Sequence, residues 1–127
     1  MLPFVVQFKS GKPVYEQVLL AVKRALTAGQ LKPGDRFPSV RVLSQELRIN
    51  PNTAHKVIGA LVDDGLLSVQ PGVGKVVSHT KPATAQEKQE LLASDIEQLI
   101  LDARMLSLDL DELIPAIQKT WRRLVKE

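Results

Sequence analysis

The feature of this chain that most constrains its fold is a break of three residues between two stretches with helical spacing. The first stretch begins at Ser39, a residue type favoured at helix N-caps, and places Val40, Leu43 and Leu47 on one face. The second begins at Pro51, which suits the first turn of a helix because the N–H groups there have no partner within the helix. A helix-turn-helix motif requires a connection this short, so the break predicts that motif.

The segments around this motif predict a winged form of it. Apolar residues from Tyr15 to Leu26 follow helical spacing, and Gly29 suits the position that ends a helix. The helix that starts at Pro51 ends at Gly65 and buries one stripe, made of Ala54, Val57, Ile58, Leu61 and Val62. Two short apolar segments then flank residues 71–74 and predict a β-hairpin. In a winged helix-turn-helix, the helix after the tight turn lies in the major groove of DNA.

The chain is therefore predicted to be α+β, mostly α, and to have two parts. Residues 1–78 form the winged helix-turn-helix, and residues 79–127 form a polar linker followed by a two-helix dimerisation region. Asp109 and Glu112 are placed to cap the last helix, which Pro115 should bend or delay. The apolar residues of both helices suit packing between two copies of the chain better than a small-molecule pocket. The predicted dimer interface consists of Leu92, Ile96, Leu99, Ala103, Leu106, Leu113, Ile117 and Trp121.

Charge is distributed unevenly between the two parts. Residues 1–80 hold ten Lys or Arg against five Asp or Glu, while residues 81–127 hold seven against nine. A basic first half indicates that only this half meets a polyanion. The chain has no cysteine, no secretory leader and no apolar run long enough to span a bilayer. We therefore expect a cytoplasmic protein without disulfides and without a membrane partner.

Polar side chains cluster at the starts of the second and third helices and on the hairpin. A helix enters a DNA groove with its first turns, so side chains there must be able to hydrogen-bond base edges or phosphates. A cation in the first turn opposes the helix dipole, which favours a DNA contact for Arg41 over a purely solvated role. Glycines at the hairpin tip allow close approach to DNA. The predicted DNA-binding residues are Ser39, Arg41, Asn50, Asn52, Thr53, His55, Lys56, Gly72, Gly74 and Lys75.

Several of these residues also have a structural interpretation that the sequence leaves open. Asn50 suits a helix N-cap as well as a DNA contact. Gly72 and Gly74 suit the turn of an ordinary hairpin. His55 and His79 have no acidic residues at metal-ligand spacing, and no nucleophile motif or phosphate-binding loop is present. We therefore expect neither an enzyme nor a metal or cofactor site.

The segment "PGDRFPSVRVLSQELRINPNTAHKVIGALVDDGLL", with "PVYEQV" before it and "QPGVG" after it, resembles the GntR family of bacterial transcriptional regulators. The resemblance runs from Pro13 to about Val77, and the short tail is similar to the YtrA-type subgroup. It implies a homodimeric repressor that binds a palindromic operator through the starts of two helices and the wing. It also implies that Arg41, the polar residues of the third helix and the wing glycines contact DNA.

Two positions depart from the family pattern. Pro51 and His55 stand where many members carry an arginine, so the operators of arginine-bearing relatives do not transfer to this chain. We expect a sequence-specific transcriptional regulator, acting as a repressor and a homodimer on double-stranded operator DNA. The alternative is a winged-helix module that binds protein without reading DNA. The sequence names neither the operator nor a small-molecule effector.

Overall fold

The computed structural model describes residues 2–79 and 83–125 of the chain. These residues fall into two compact units that separate near residue 80. Residues 80–82 of the predicted linker lie outside the described residues. The assignment of a DNA-binding role to the first part and a dimerising role to the second remains a prediction.

The first unit contains three helices and a two-stranded antiparallel sheet, in the order that the sequence predicts. Its helices are α1 (Val14–Ala28), α2 (Val40–Leu47) and α3 (Pro51–Asp63), and its strands are β1 (Leu67–Gln70) and β2 (Gly74–Val77). Leu67 pairs with Val77, and Gln70 pairs with Gly74. This arrangement confirms the winged helix-turn-helix fold.

One apolar core joins these elements. Val18 and Val22 come from α1, Leu43 from α2, and Val57 and Leu61 from α3, and all five side chains are almost completely buried. Burying a side chain of this size stabilises the fold by about 1.5–3 kcal/mol. Because the buried stripe of α3 fixes its orientation, the polar residues of that helix lie on the opposite face.

The chain before α1 is attached to the same core. Phe4 is buried and stacks on Phe37, with their ring centroids 5.9 Å apart. Gln17 of α1 accepts a hydrogen bond from the Lys9 N–H and donates to the carbonyl oxygens of Lys9 and Lys12. These contacts fix where the first turn of α1 lies.

The turn between α2 and α3 depends on one residue in the left-handed conformation. Arg48 has φ 55° and ψ 48°, and the next residue, Ile49, donates its N–H to the Ser44 carbonyl at 3.0 Å. This conformation ends α2 and allows α3 to begin at Pro51. The three-residue break that the sequence indicates is therefore the tight turn of the motif.

The second unit is helical. α4 (Ala85–Glu90) leads directly into a π-helical turn (Leu91–Asp95) and α5 (Ile96–Met105), and α6 (Leu110–Leu124) follows. Thr84 and Asp109 begin α4 and α6 with capping boxes that Glu87 and Glu112 complete. Pro115 lies inside α6 and does not delay its start. The sequence did not predict the π-helical turn, which shifts the faces on which the residues before and after it lie.

Candidate nucleic-acid interface

The start of α2 presents Ser39 and Arg41 to solvent. Ser39 Oγ accepts a hydrogen bond from the Val42 N–H at 3.2 Å, so this serine is the N-cap that the sequence predicts. Arg41 lies in the first turn of α2, and within residues 2–79 and 83–125 its guanidinium has no ion pair. An unpaired guanidinium that opposes the helix dipole is available to a DNA phosphate or to guanine.

The start of α3 carries a second polar group. Asn50 Oδ1 accepts a hydrogen bond from the Asn52 N–H at 2.8 Å, and Pro51 occupies the first helical position. Asn52 and His55 are exposed, while Thr53 is half-buried. The cap uses the side-chain oxygen Oδ1 of Asn50 and leaves the side-chain NH₂ group able to donate elsewhere. The structural and the DNA-binding interpretations of Asn50 are therefore compatible.

Lys56 is exposed on α3, but its ammonium contacts a different helix. Its Nζ lies 4.4 Å from the centre of the Tyr15 ring, and Tyr15 belongs to the first turn of α1. This distance is within the range of a cation–π interaction. Helical spacing within α3 cannot reveal the contact, because the two residues are far apart in the chain.

The wing is the hairpin of β1 and β2. Across its turn the Val73 N–H donates to the Gln70 carbonyl at 3.0 Å. Gly72 and Gly74 have φ of 76° and 108°, which side chains rarely allow, and both are exposed. Apart from the glycine itself and its two chain neighbours, no heavy atom of the described residues lies within 4 Å of a Cβ placed at either position. The backbone conformation alone therefore requires glycine here, and the space around both positions is open.

A cleft of about 310 Å³ lies between the wing and the start of α2, and Ser39 and Lys75 line it. Arg36 lines it too, although the sequence did not predict a role for this residue. Arg36 forms an antiparallel bridge with Val76, and the Phe37 N–H donates to the Lys75 carbonyl at 2.9 Å. In the sequence, the polar Arg36 followed by the apolar Phe37 is the local signal for an extended segment, but it does not predict a place beside the wing. Two cationic side chains therefore line the cleft, whereas the sequence predicted one.

The structure brings together part of the predicted DNA-binding set. Ser39, Gly74 and Lys75 share the cleft, and a hydrogen bond joins Asn50 to Asn52. The remaining members lie on the exposed parts of α2, α3 and the wing, except Thr53, which is half-buried. Their individual DNA contacts remain predictions.

The predicted dimer-interface residues differ in exposure. Six are exposed, namely Leu92, Ile96, Leu99, Leu106, Ile117 and Trp121. Leu113 is half-buried, and Ala103 is only 3% exposed. Both line a cleft of about 270 Å³ within the second unit. Ala103 therefore packs inside its own unit, while the six exposed side chains are available to a partner.

The described part of the chain holds no group of three or more His, Cys, Asp or Glu side chains that is arranged to bind a metal ion. None of its helices is both long and apolar enough to cross a membrane. A winged helix-turn-helix with exposed polar side chains at the starts of α2 and α3 and on its wing is typical of DNA-binding transcriptional regulators. The protein is of this class and is not an enzyme.

The chain belongs to the GntR family of bacterial regulatory proteins, since residues 14–77 match the family described as "Bacterial regulatory proteins, gntR family". It is 34% identical over 106 residues to the HTH-type transcriptional repressor YtrA of Bacillus subtilis strain 168. That match covers 83% of this chain and 82% of the relative. The predicted YtrA-type resemblance is thereby confirmed.

Several solved structures are similar to this chain. A crystal structure described as a transcriptional antiterminator from Listeria monocytogenes EGD-e has a TM-score of 0.84 at 22% identity, and the match covers 98% of this chain and 93% of that one. At this identity the likeness concerns the fold alone. The DNA-binding domain of AraR, solved in complex with the operator ORX1, has a TM-score of 0.52 at 29% identity. That match covers 58% of this chain and 95% of that chain.

Proposed function

We propose that this protein is a homodimeric repressor that binds a palindromic DNA operator. The observation that carries the proposal is the arrangement of exposed polar side chains at the starts of α2 and α3 and of cationic side chains beside the wing. The similarity of this chain to the repressor YtrA and to the AraR DNA-binding domain, which was solved with an operator, supports the proposal. Two winged domains would place two α3 helices in successive major grooves, about 34 Å apart.

The polar residues divide between two roles in this proposal. Asn52, Thr53 and His55 read base edges, because they follow the start of the helix that enters the groove. Ser39 and Lys75 contact phosphates, which fixes the position of the protein but carries no sequence information. Arg41 has the donors for either role, and we assign it to guanine. Pro51 removes one base-reading position, so fewer bases are read at the start of α3.

Dimerisation is proposed from the burial pattern of the second unit. Among residues 83–125 the only buried side chain is Ala103. Large apolar side chains lie in solvent there, with Leu106 73% exposed and Trp121 70% exposed. A helical unit with so little buried apolar surface lacks a core of its own, and a second copy would cover these residues. The commonest closed arrangement of two copies is a two-fold dimer.

Selection of bound fragments from genomic DNA, followed by footprinting, tests the proposal. We expect recovered fragments to share an inverted repeat whose half-sites lie one helical turn apart, with both half-sites protected. Sedimentation should show two chains per operator. The protein-binding alternative would be favoured if selection enriched no DNA sequence. It would also be favoured if the chain bound another protein with an affinity that does not depend on salt. A single protected half-site would contradict the dimer.

A further inference from the structure

The contact between Lys56 and Tyr15 suggests a role for α1 that the DNA-binding surface described above does not include. Lys56 lies on α3 four residues after Asn52 and three after Thr53, so it shares a face with both. Its ammonium lies 4.4 Å from the centre of the Tyr15 ring. Within the described residues Lys56 has no carboxylate partner. An aromatic ring and not an acid therefore holds this cation.

The chemical nature of the group beside the Lys56 ammonium determines whether its charge remains available to a polyanion. A carboxylate at this position would cancel the charge of Lys56 and lower its attraction for a polyanion. A ring face attracts the ammonium through its quadrupole but leaves the full positive charge and most of its N–H donors unpaired. The arrangement thus restricts a long, flexible side chain without neutralising it. This suits a cation that must meet an anion in a fixed place.

The ring itself is held by the fold. Tyr15 is half-buried and packs against the apolar core. Gln17, two residues later, bonds to the backbone of the preceding segment and fixes the same turn of α1. The position of the ring is therefore set before DNA binds, and the conformational entropy that Lys56 would lose on binding is partly lost in advance.

We propose that Tyr15 is a positioning residue that holds the Lys56 ammonium for a DNA phosphate beside the major groove. The proposal rests on the proposed DNA-binding function and extends it to α1. Phosphate contacts are independent of sequence, so this one should strengthen binding to any duplex. Its loss should also lower the dependence of binding on salt.

The test uses the full chain and a fluorescent 25-base-pair duplex of randomised sequence as the probe. Lys56→Gln should weaken binding and reduce the slope of log K against log salt by about 0.9, the value for one phosphate contact. Tyr15→Leu keeps an apolar side chain but removes the ring, and it should weaken binding about three- to tenfold. Tyr15→Phe keeps the ring face and should bind as the unmodified chain does. Lys23→Gln, an exposed lysine of α1, is the matched charge control and should leave the slope unchanged.

A double-mutant cycle separates positioning from a general effect on the fold. In the Lys56→Gln background, Tyr15→Leu should have little further effect, because the ring acts through the lysine. In the unmodified chain, the ε-methylene protons of Lys56 should show an upfield ring-current shift by NMR that Tyr15→Leu abolishes and Tyr15→Phe retains. Equal weakening by Tyr15→Leu in both backgrounds, or an unchanged affinity, would overturn the proposal. If the unmodified chain fails to bind the duplex at low salt, the proposed function itself is rejected.

Discussion

At the level of single residues, Asn50 shows how one side chain serves both the fold and its surface. Its Oδ1 caps α3 through the Asn52 N–H, while the side chain remains exposed at the predicted DNA-binding face. The cap satisfies one of the N–H groups that a helix start leaves without a partner. A substitution at this position can therefore change stability, DNA binding or both, depending on which atoms it removes.

Two substitutions at Asn50 should separate these effects. Asn50→Ala removes the cap and should lower the free energy of unfolding by about 1 kcal/mol, measured by urea denaturation. Asn50→Asp keeps the accepting oxygen and should leave stability close to that of the unmodified chain. It should nevertheless weaken DNA binding, because it brings a negative charge to the phosphates. If both substitutions were equally destabilising, the cap would not depend on this oxygen.

Arg48 offers a stabilising substitution in the tight turn. A non-glycine residue in the left-handed conformation carries strain that glycine does not, and Arg48 has φ 55°. We expect Arg48→Gly to raise the free energy of unfolding by about 1 kcal/mol. Arg48→Ala, which keeps the strain, should not do so. Urea denaturation of the two variants at equal protein concentration distinguishes the backbone effect from the loss of the charge.

Arg41 and Lys75 should differ in what they contribute to DNA recognition. Arg41→Ala should cost about 1–3 kcal/mol on the operator and relax specificity at one base pair. Lys75→Ala should weaken binding to all sequences alike and reduce the salt slope by about one unit. Titration of operator and random duplexes at several salt concentrations measures both quantities. Equal losses on the two duplexes for both variants would contradict this division.

Among the secondary-structure elements, α4 has a start that depends on pH. Glu87 accepts hydrogen bonds from the backbone N–H and the hydroxyl group of Thr84, and these bonds lower the pKa of Glu87 below its ordinary value. A carboxyl group whose pKa is lower in the folded chain than in the unfolded chain stabilises the folded chain at pH values above the unfolded-state pKa. This stabilisation is lost as the pH falls through the folded-state pKa. The start of α4 should therefore loosen only in acid.

An NMR titration of the Glu87 carboxyl carbon tests this expectation. In the unmodified chain its midpoint should lie below that of an unperturbed glutamate carboxyl group. Thr84→Val removes the hydroxyl group but keeps the backbone N–H, so the midpoint should rise without reaching the ordinary value. A midpoint that does not move in this variant would show that the hydroxyl group is not a cause of the shift.

The sequence predicted the elements whose signals are local. The cap at Ser39, the break after Leu47 and the buried stripe of α3 each depend on residues that are close in the chain, and the structure has all three. Contacts between distant segments were not predicted. Lys56 meets Tyr15, and Arg36 lies beside the wing, because tertiary packing brings separate elements together.

The second unit shows the same limit in a different form. The apolar residues from Leu92 to Leu106 were predicted to share one dimer interface, but a π-helical turn (Leu91–Asp95) lies within their helix. One added residue in a helical turn changes which side chains share a face. No single residue type in a sequence predicts such a π-helical turn. Ala103 was assigned to an interface by its spacing, although its small side chain packs inside the unit.

For the whole molecule, the proposed dimer determines how tightly a weakly basic chain can hold DNA. One winged domain offers a limited number of cations, and its phosphate contacts alone would give weak, salt-sensitive binding. Joining two domains makes the second half-site contact intramolecular, which raises the overall affinity without any new contact. The exposed apolar residues of the second unit are thus expected to contribute to DNA affinity through dimerisation.

Truncation after Ser78 should therefore give a monomer that binds the operator far more weakly than the full chain, as measured by sedimentation and titration. Ile117→Asp in the full chain should have the same effect, because it buries a charge at the proposed contact between two copies. Gln118→Asp, an exposed residue of the same helix outside the predicted interface, is the matched control and should remain dimeric. Since Ile117 is 51% exposed within one chain, its substitution should leave the first unit folded. If both the truncated chain and the Ile117→Asp variant remained dimeric, the interface would have to lie in the first unit. The affinity of the protein for its operator would then not depend on α6.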